Sequence, residues 1–256
     1  MSSLEGKTAV IFGIANHRSI AYGIAESLRE RGCRILLNYQ NERLGQSLKR
    51  LSSNLGDPWM AECDVTDDEA VVDFFDKVRE EVGSFDYLVH SVAYANREFL
   101  QGDYMLTPWD AYAEAQHVSA YSLVRLCRHA YPLMEGHDGA VLALTYLGSE
   151  KVVKNYNLMG VAKAALESSV RYLASDLGRH GIRVNAISAG PVRTLSASAI
   201  KDLGAMLDYV AERSPMHRNV SLEDIGNAAS FLLSRDARGV TGQVLHVDNG
   251  FSIMGV

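Results

Sequence analysis

Thr8-Ala9-Val10-Ile11-Phe12 runs directly into Gly13-Ile14-Ala15-Asn16-His17-Arg18-Ser19-Ile20-Ala21-Tyr22-Gly23-Ile24-Ala25, and the change of texture at Gly13 decides the fold. A short β-branched and apolar run that stops at a residue free to turn reads as a buried strand. It makes a poor secretory signal, being brief, weakly preceded by positive charge and without a convincing cleavage site. Beyond it, small residues at Gly13, Ala21 and Gly23 permit a tight turn and a helix lying close to the sheet. They also let helix-terminal amides around Ser19 and Ile20 meet a pyrophosphate. The spacing is not G-x-G-x-x-G, so the stretch by itself is equally an ordinary strand-turn-helix junction.

Working outward, runs of the same kind recur at Arg34 to Asn38, Trp59 to Glu62, Tyr87 to His90, Ala140 to Thr145, Arg183 to Ile187 and Gln243 to Val247, with amphipathic stretches between them. Seven strands joined by crossover helices predict an α/β fold: a Rossmann-type, doubly wound parallel sheet. Thr66-Asp67-Asp68-Glu69 reads as a capping box ahead of the core-facing Val71, Phe74, Phe75 and Val78. Ser221 starts a helix through Ile225 and Phe231 to Leu233. With 256 residues, 47% of them hydrophobic and no repeat or Pro/Ser-rich linker, 1–256 reads as a single domain.

A formal net charge of −6 argues against a nucleic-acid partner. No apolar run approaches a membrane span, so a soluble, cytoplasmic protein is expected. Cys33, Cys63 and Cys127 are odd in number and lack a CxxC pair, which suits buried thiols in a reducing compartment. The eight histidines show no metal-ligand spacing, and no metal is expected.

In a doubly wound sheet, ligands bind beyond the carboxyl ends of the strands, and that rule selects the loops that matter. After the second strand, Gln40 and Glu42 stand where a dinucleotide's adenosine ribose is met. Neither supplies the cation that a 2′-phosphate needs, so NADH is favoured over NADPH, with Arg43 the nearby exception. After the third, Asp64 and Val65 suit the adenine amine and ring, although Asp64 equally suits a helix-leading turn. His90-Ser91-Val92-Ala93 follows the fourth, with Val92 among small lining residues. After the sixth, Val192, Thr194, Leu195 and Ser196 offer groups to a nicotinamide carboxamide or a phosphate. The fifth strand leads to Tyr146 and to Tyr156-Asn157-Leu158-Met159-Gly160-Val161-Ala162-Lys163. Residues seven apart lie within about 20° of each other on one helical face, so Tyr156 and Lys163 are expected to address one ligand. A phenol beside a cation is a means of stabilising an oxyanion or donating a proton. Any seven-residue pair shares a face, so the spacing alone also fits two ordinary surface residues.

Taken together, several segments resemble the enoyl-acyl-carrier-protein reductases of bacterial fatty acid synthesis, the FabI-related divergent branch of the short-chain dehydrogenases/reductases. They are Gly13 with Ser19 to Ala25, Tyr39-Gln40-Asn41, Cys63-Asp64-Val65, Thr145-Tyr146-Leu147-Gly148, Asn155 through Lys163, Arg183 through Pro191, and Val244 to Asp248. Ordinary superfamily members carry T-G-x-x-x-G-x-G and Y-x-x-x-K, whereas this chain has Y-x6-K. The resemblance implies hydride delivery from NADH to C3 of a trans-2-enoyl thioester carried on acyl carrier protein. It also implies that Tyr156 bonds the thioester oxygen, that Lys163 holds the nicotinamide ribose, and that Tyr146 has a supporting role. Ala95, Met159 and Met206 are implied as substrate contacts, and a homotetramer as the assembly.

Leu195, Ala199, Ile200, Leu203, Met206 and Leu207 recur at helical spacing and read as a substrate lid near 194–210. Relatives often carry several basic residues there; here Lys201 is followed by Gly204 and Ala205, so Arg193, Lys151 and Lys154 are the substitute candidates for meeting the carrier. Asn249 stands where a glycine is common. Two other functions compete: a carbonyl reductase or alcohol dehydrogenase on the same scaffold, and a non-catalytic NAD-binding regulator. The Y-x6-K spacing opposes the first, and the joint presence of Tyr146, Tyr156 and Lys163 opposes the second.

Overall fold

The computed structural model describes residues 3–194 and 203–255. Seven strands form one parallel sheet in the order β3-β2-β1-β4-β5-β6-β7, comprising β1 (Thr8–Phe12), β2 (Arg34–Tyr39), β3 (Trp59–Glu62), β4 (Tyr87–His90), β5 (Ala140–Thr145), β6 (Arg183–Ala189) and β7 (Val244–Val247). Helices α1 (Ile20–Glu30), α2 (Glu42–Ser52), α3 (Asp68–Val82), α4 (Trp109–Gln116), α5 (Ser122–Met134), α6 (Asn157–Gly178), α7 (Leu203–Arg213) and α8 (Leu222–Leu233) fill the connections. The predicted α/β, doubly wound architecture is what forms.

Alternation along β1 shows why an apolar run makes a central strand. Val10 and Phe12 enter the core beneath α3, α5 and α6, while Ala9 and Ile11 enter the opposite core beneath α1, α2 and α8. A strand buried on both faces needs apolar residues at every position rather than at every second one. Phe74 of α3 is fully buried and meets Phe12 edge-on at 5.1 Å between ring centroids. Burial of each such side chain contributes about 2–3 kcal/mol. A third cluster lies apart from the two faces. It joins Ala95 and Leu100 to Ala111 and Ala115 of α4 and to Leu158, Met159 and Ala162 of α6, with Tyr156 packed against it.

Local predictions need adjustment at strand ends, at one helix cap and at one glycine. β2 and β6 run on to Tyr39 and Ala189, and β7 starts at Val244 rather than Gln243. The cap of α3 is Asp67, not Thr66: the Asp67 carboxylate accepts from the amides of Glu69 and Ala70, while Thr66 donates to Asp64. Gly23 closes α1 against α8 rather than against the sheet, since a Cβ there would lie 2.8 Å from the Leu222 Cβ. Asn249 takes the left-handed conformation a glycine would, at φ 57°, and its side chain donates to the Arg218 carbonyl, a use asparagine accommodates. Ser221 caps α8 as predicted, in a reciprocal box with Asp224. Cys33, Cys63 and Cys127 are buried and unbridged. No described helix is long and apolar enough to cross a membrane, and the described residues contain no metal-ligand cluster.

Candidate active site

From β1 the chain crosses to β2 on one side and later to β4 on the other, which opens a crevice at the carboxyl ends of β1 and β4. Gly13 sits at its floor with φ 105°, and a Cβ added there would be 2.1 Å from the Ser91 carbonyl oxygen. Only glycine permits this approach of the first turn to the loop after β4. Ser19, nearly buried, ties the turn together: its hydroxyl oxygen accepts from the amides of Ala15 and Asn16 at 3.0 and 3.1 Å, which leaves its own proton to donate. α1 then starts at Ile20 with no acidic residue in its first turn, so its amides face no competing carboxylate. A glycine-floored turn beneath an uncompensated helix N-terminus fits a dinucleotide's pyrophosphate.

The other predicted cofactor positions line the same edge. Gln40 donates to Asp64 at 3.1 Å, so the loops after β2 and β3 are joined by these two residues. Burial pushes the Asp64 carboxyl up, but hydrogen bonds from the Thr66 amide and hydroxyl and from Gln40 outweigh it and hold the acid below its usual range. Val65 is buried within the core cluster, and its carbonyl accepts from Arg125. Val92 and Val192 are half-buried against opposite cores, and the Thr194 amide donates to the Val192 carbonyl at 2.7 Å. Leu195, Ser196, Ala199, Ile200 and Lys201 lie outside the described residues.

Beyond β5, Tyr146 and Tyr156 pack edge to face with ring centroids 4.9 Å apart. The close packing has a backbone cause. A Cβ on Gly148 would fall 2.5 Å from the Tyr156 ring, and one on Gly160 would fall 2.6 Å from the Gly148 carbonyl oxygen. Tyr156 is the cap of α6, with φ −130° and ψ 10°, so it stands just outside the helix that carries Lys163. The simple picture of two residues on one helical face is therefore corrected. Lys163 is buried and donates to the Leu144 carbonyl at 2.7 Å, to neither phenol. An ammonium has three donors, and among the described residues only one is used, which suits a cation that also serves a ribose diol.

Burial shapes the chemistry of the three groups. It pushes Tyr146 up to about 12 and Tyr156 well above the usual phenol range, the latter with a contribution from Tyr146. Both are neutral hydrogen-bond donors at ordinary pH. Burial lowers Lys163 to about 8, against the opposing pull of Glu167. His90 at the end of β4 is held down near 3 by burial and then by Lys163; its Nε2 pairs with Ser122 Oγ at 2.7 Å.

The predicted substrate contacts meet here. Ala95 and Met159 are buried in the third cluster with Tyr156 packed on it, and Met206 of α7 receives the Tyr146 hydroxyl at 3.7 Å. Two features had little or no sequence signal. A π-helical turn, His117–Tyr121, places Ser119 so that its hydroxyl accepts from the Tyr94 amide and donates to the Tyr94 carbonyl, both at 2.9 Å, fixing the loop that carries Ala95. Glu167, four residues after Lys163, is buried and accepts from Thr145 and Ser149, the residues that bracket Tyr146; its helical offset from Lys163 was the one visible hint. Of the candidate carrier-facing residues, Arg193 and Lys154 are exposed, and Lys151 donates to the Ser252 carbonyl.

Residues 13–252 match the family model described as enoyl-(acyl carrier protein) reductase. The NADH-dependent enoyl-[acyl-carrier-protein] reductase FabI of Bacillus cereus is 49% identical over the full length of both chains. The crystal structure of the Bacillus cereus enoyl-acyl carrier protein reductase with NADP+ and indole naphthyridinone superposes with a TM-score of 0.97 at 48% identity, covering 100% of each chain. The Anaplasma phagocytophilum reductase in complex with NAD gives 0.94 at 43% identity, covering 100% of this chain and 96% of that one. A full-length match of this strength, in sequence and in fold, means that the chain belongs to the enoyl-[acyl-carrier-protein] reductase family of FabI type.

Proposed function

We infer that this chain reduces trans-2-enoyl thioesters on acyl carrier protein to saturated acyl thioesters, with NADH as the reductant, in bacterial fatty acid elongation. The observation that carries the reading is the neutral tyrosine pair set edge to face at the end of β5, beside a buried lysine anchored to the Leu144 carbonyl. When bound, the reduced nicotinamide supplies a hydride to C3 of the enoyl group. The remaining task falls to the chain: charge builds on the thioester oxygen as an enolate, a donor aimed at that oxygen lowers the barrier, and C2 then takes up a proton to give the saturated thioester. Tyr156 is the donor. Its raised pKa keeps the proton on the phenol, so it stabilises the oxygen by hydrogen bonding. Lys163 adds positive potential and holds the cofactor ribose, while Tyr146 orients Tyr156 and meets Met206 across the acyl site.

Gly13, Ser19, Ile20, Gln40, Asp64, Val65, Val92, Val192, Thr194, Leu195 and Ser196 are the proposed cofactor contacts. Gln40 favours a bare ribose hydroxyl and hence NADH, and Ala95, Met159 and Met206 bound the acyl chain. The chain acts as one reductase domain, with residues 194–210 as its lid. A cytoplasmic homotetramer is the proposed state. Two observations support the assembly: Tyr172 of α6 is 75% exposed, and β7 is an edge strand with Leu245 turned outward.

The test follows NADH absorbance with crotonyl and longer enoyl thioesters. The intact protein is expected to oxidise NADH only with the enoyl substrate and to prefer it to NADPH. Tyr156→Phe is expected to lose about 10²–10³ in kcat, the usual consequence of removing one oxyanion donor. Reduction of ketones without reduction of enoyl thioesters overturns the reading.

A further inference from the structure

We propose that Glu167 is a positioning residue for the reduction: its carboxylate fastens the turn carrying Tyr146 to α6 and is the buried counter-charge to Lys163 one turn away. The proposal rests on the roles given above to Tyr146, Tyr156 and Lys163. Glu167 is only 7% exposed. A carboxylate so enclosed requires partners, and it has two hydroxyls. Thr145 Oγ1 donates to Glu167 Oε1 at 2.5 Å, and the Ser149 hydroxyl is shared between that same oxygen and the Tyr146 carbonyl, 2.9 Å away. Lys163 grips the Leu144 carbonyl. Two side chains one turn apart on α6 thus hold residues 144, 145 and 149, the segment on which Tyr146 is carried.

The charges around Lys163 give Glu167 its second part. His90 from β4 is neutral, as are the phenols of Tyr146 after β5 and Tyr156 at the α6 cap. Burial lowers Lys163 to about 8, and among these neighbours only Glu167 acts to raise it. Without the carboxylate, the ammonium is lost at a lower pH.

The test compares wild type with Glu167→Gln, which keeps an acceptor oxygen for Thr145 and Ser149 but removes the charge. Two profiles are measured from pH 6 to 9.5: kcat/KM for crotonyl thioester reduction, and NADH affinity by cofactor fluorescence. The wild-type alkaline limb is expected near 8. The variant's alkaline limb should move to lower pH, so that activity is lost first in the variant as pH rises, with the two proteins converging near pH 6. Superimposable alkaline limbs in both profiles overturn the proposal. Glu167→Asp keeps the charge but shortens the reach, so its limb should stay in place while kcat falls; an unchanged kcat overturns the anchoring part. Absence of enoyl turnover by wild type counts against the function alone, because the NADH-binding profile still tests the charge.

Discussion

At the scale of single residues, Gly13 shows how one missing atom lets two loops approach at the proposed cofactor crevice. Its φ of 105° excludes ordinary side chains, and a Cβ would overlap the Ser91 carbonyl at 2.1 Å. Because the atom met is backbone, no rotamer change relieves the clash. Gly13→Ala should therefore cost about 1–3 kcal/mol of stability. Displacement of the first turn should also weaken NADH at least tenfold. A chemical-denaturation curve and a fluorescence titration read the two effects; wild-type values in both would mean that the turn has room that the structure denies. Lys163 is the complementary case, a residue whose charge rather than size is decisive. The role proposed for it needs the protonated form, and burial sets its pKa near 8. Activity needing that ammonium is full below about pH 7 and declines as pH rises through 8, and a wild-type kcat/KM profile flat to pH 9.5 would contradict it. Gly13 and Lys163 were both legible in the sequence, since each sits at a fixed offset from a strand end. Glu167 was not. Its partners lie 22 and 18 residues away and meet it only after α6 packs beside β5.

At the scale of elements, regular segments announced themselves and irregular ones did not. The central strands β1, β4 and β5 were readable because a parallel strand covered on both faces must be apolar throughout, whereas the half-buried edge strands β3 and β7 stood out by their place between helical stretches. The cap of α3 was misplaced by one residue because Thr66 and Asp67 are both good caps, and only the backbone angles choose between them. The π-helical turn at His117–Tyr121 left no trace, because its extra residue changes hydrogen-bond register rather than composition. Yet that turn fixes the loop that carries Ala95, a proposed substrate contact, since Ser119 is fully buried and bonds both the amide and the carbonyl of Tyr94. Ser119→Ala removes the hydroxyl that serves both the Tyr94 amide and its carbonyl, a cost of about 0.5–1.5 kcal/mol for each bond lost. The freed loop should raise KM for a long-chain enoyl thioester more than for crotonyl thioester, with NADH affinity unchanged. An equal rise for both chain lengths would detach the turn from the acyl site.

At the scale of the whole molecule, burial of acidic side chains in neutral form ties stability to pH. Desolvation raises Cys33, Cys63 and Cys127 to about 12 from an ordinary value of 9.0, in Cys127 as the sole cause. Between those values the folded protein holds thiol protons that the unfolded chain releases, so stability falls as pH rises through that window. Lys163 acts the other way. Its folded pKa of about 8 lies below the ordinary 10.5, so the unfolded chain binds the extra proton between them and stability rises with pH there. Each fully displaced group contributes about 1.4 kcal/mol per pH unit, and three thiols outweigh one lysine. Buried Tyr87, raised by desolvation and then by Asp86, adds to the loss above pH 10. Unfolding free energy should therefore fall steeply from pH 9 to 11. Cys127→Ala should start lower, having left a small cavity, but decline less steeply by about 1.4 kcal/mol per pH unit in the upper part of that range. The slope isolates the titration from the packing loss, and parallel slopes for the two proteins would show that Cys127 ionises as readily folded as unfolded.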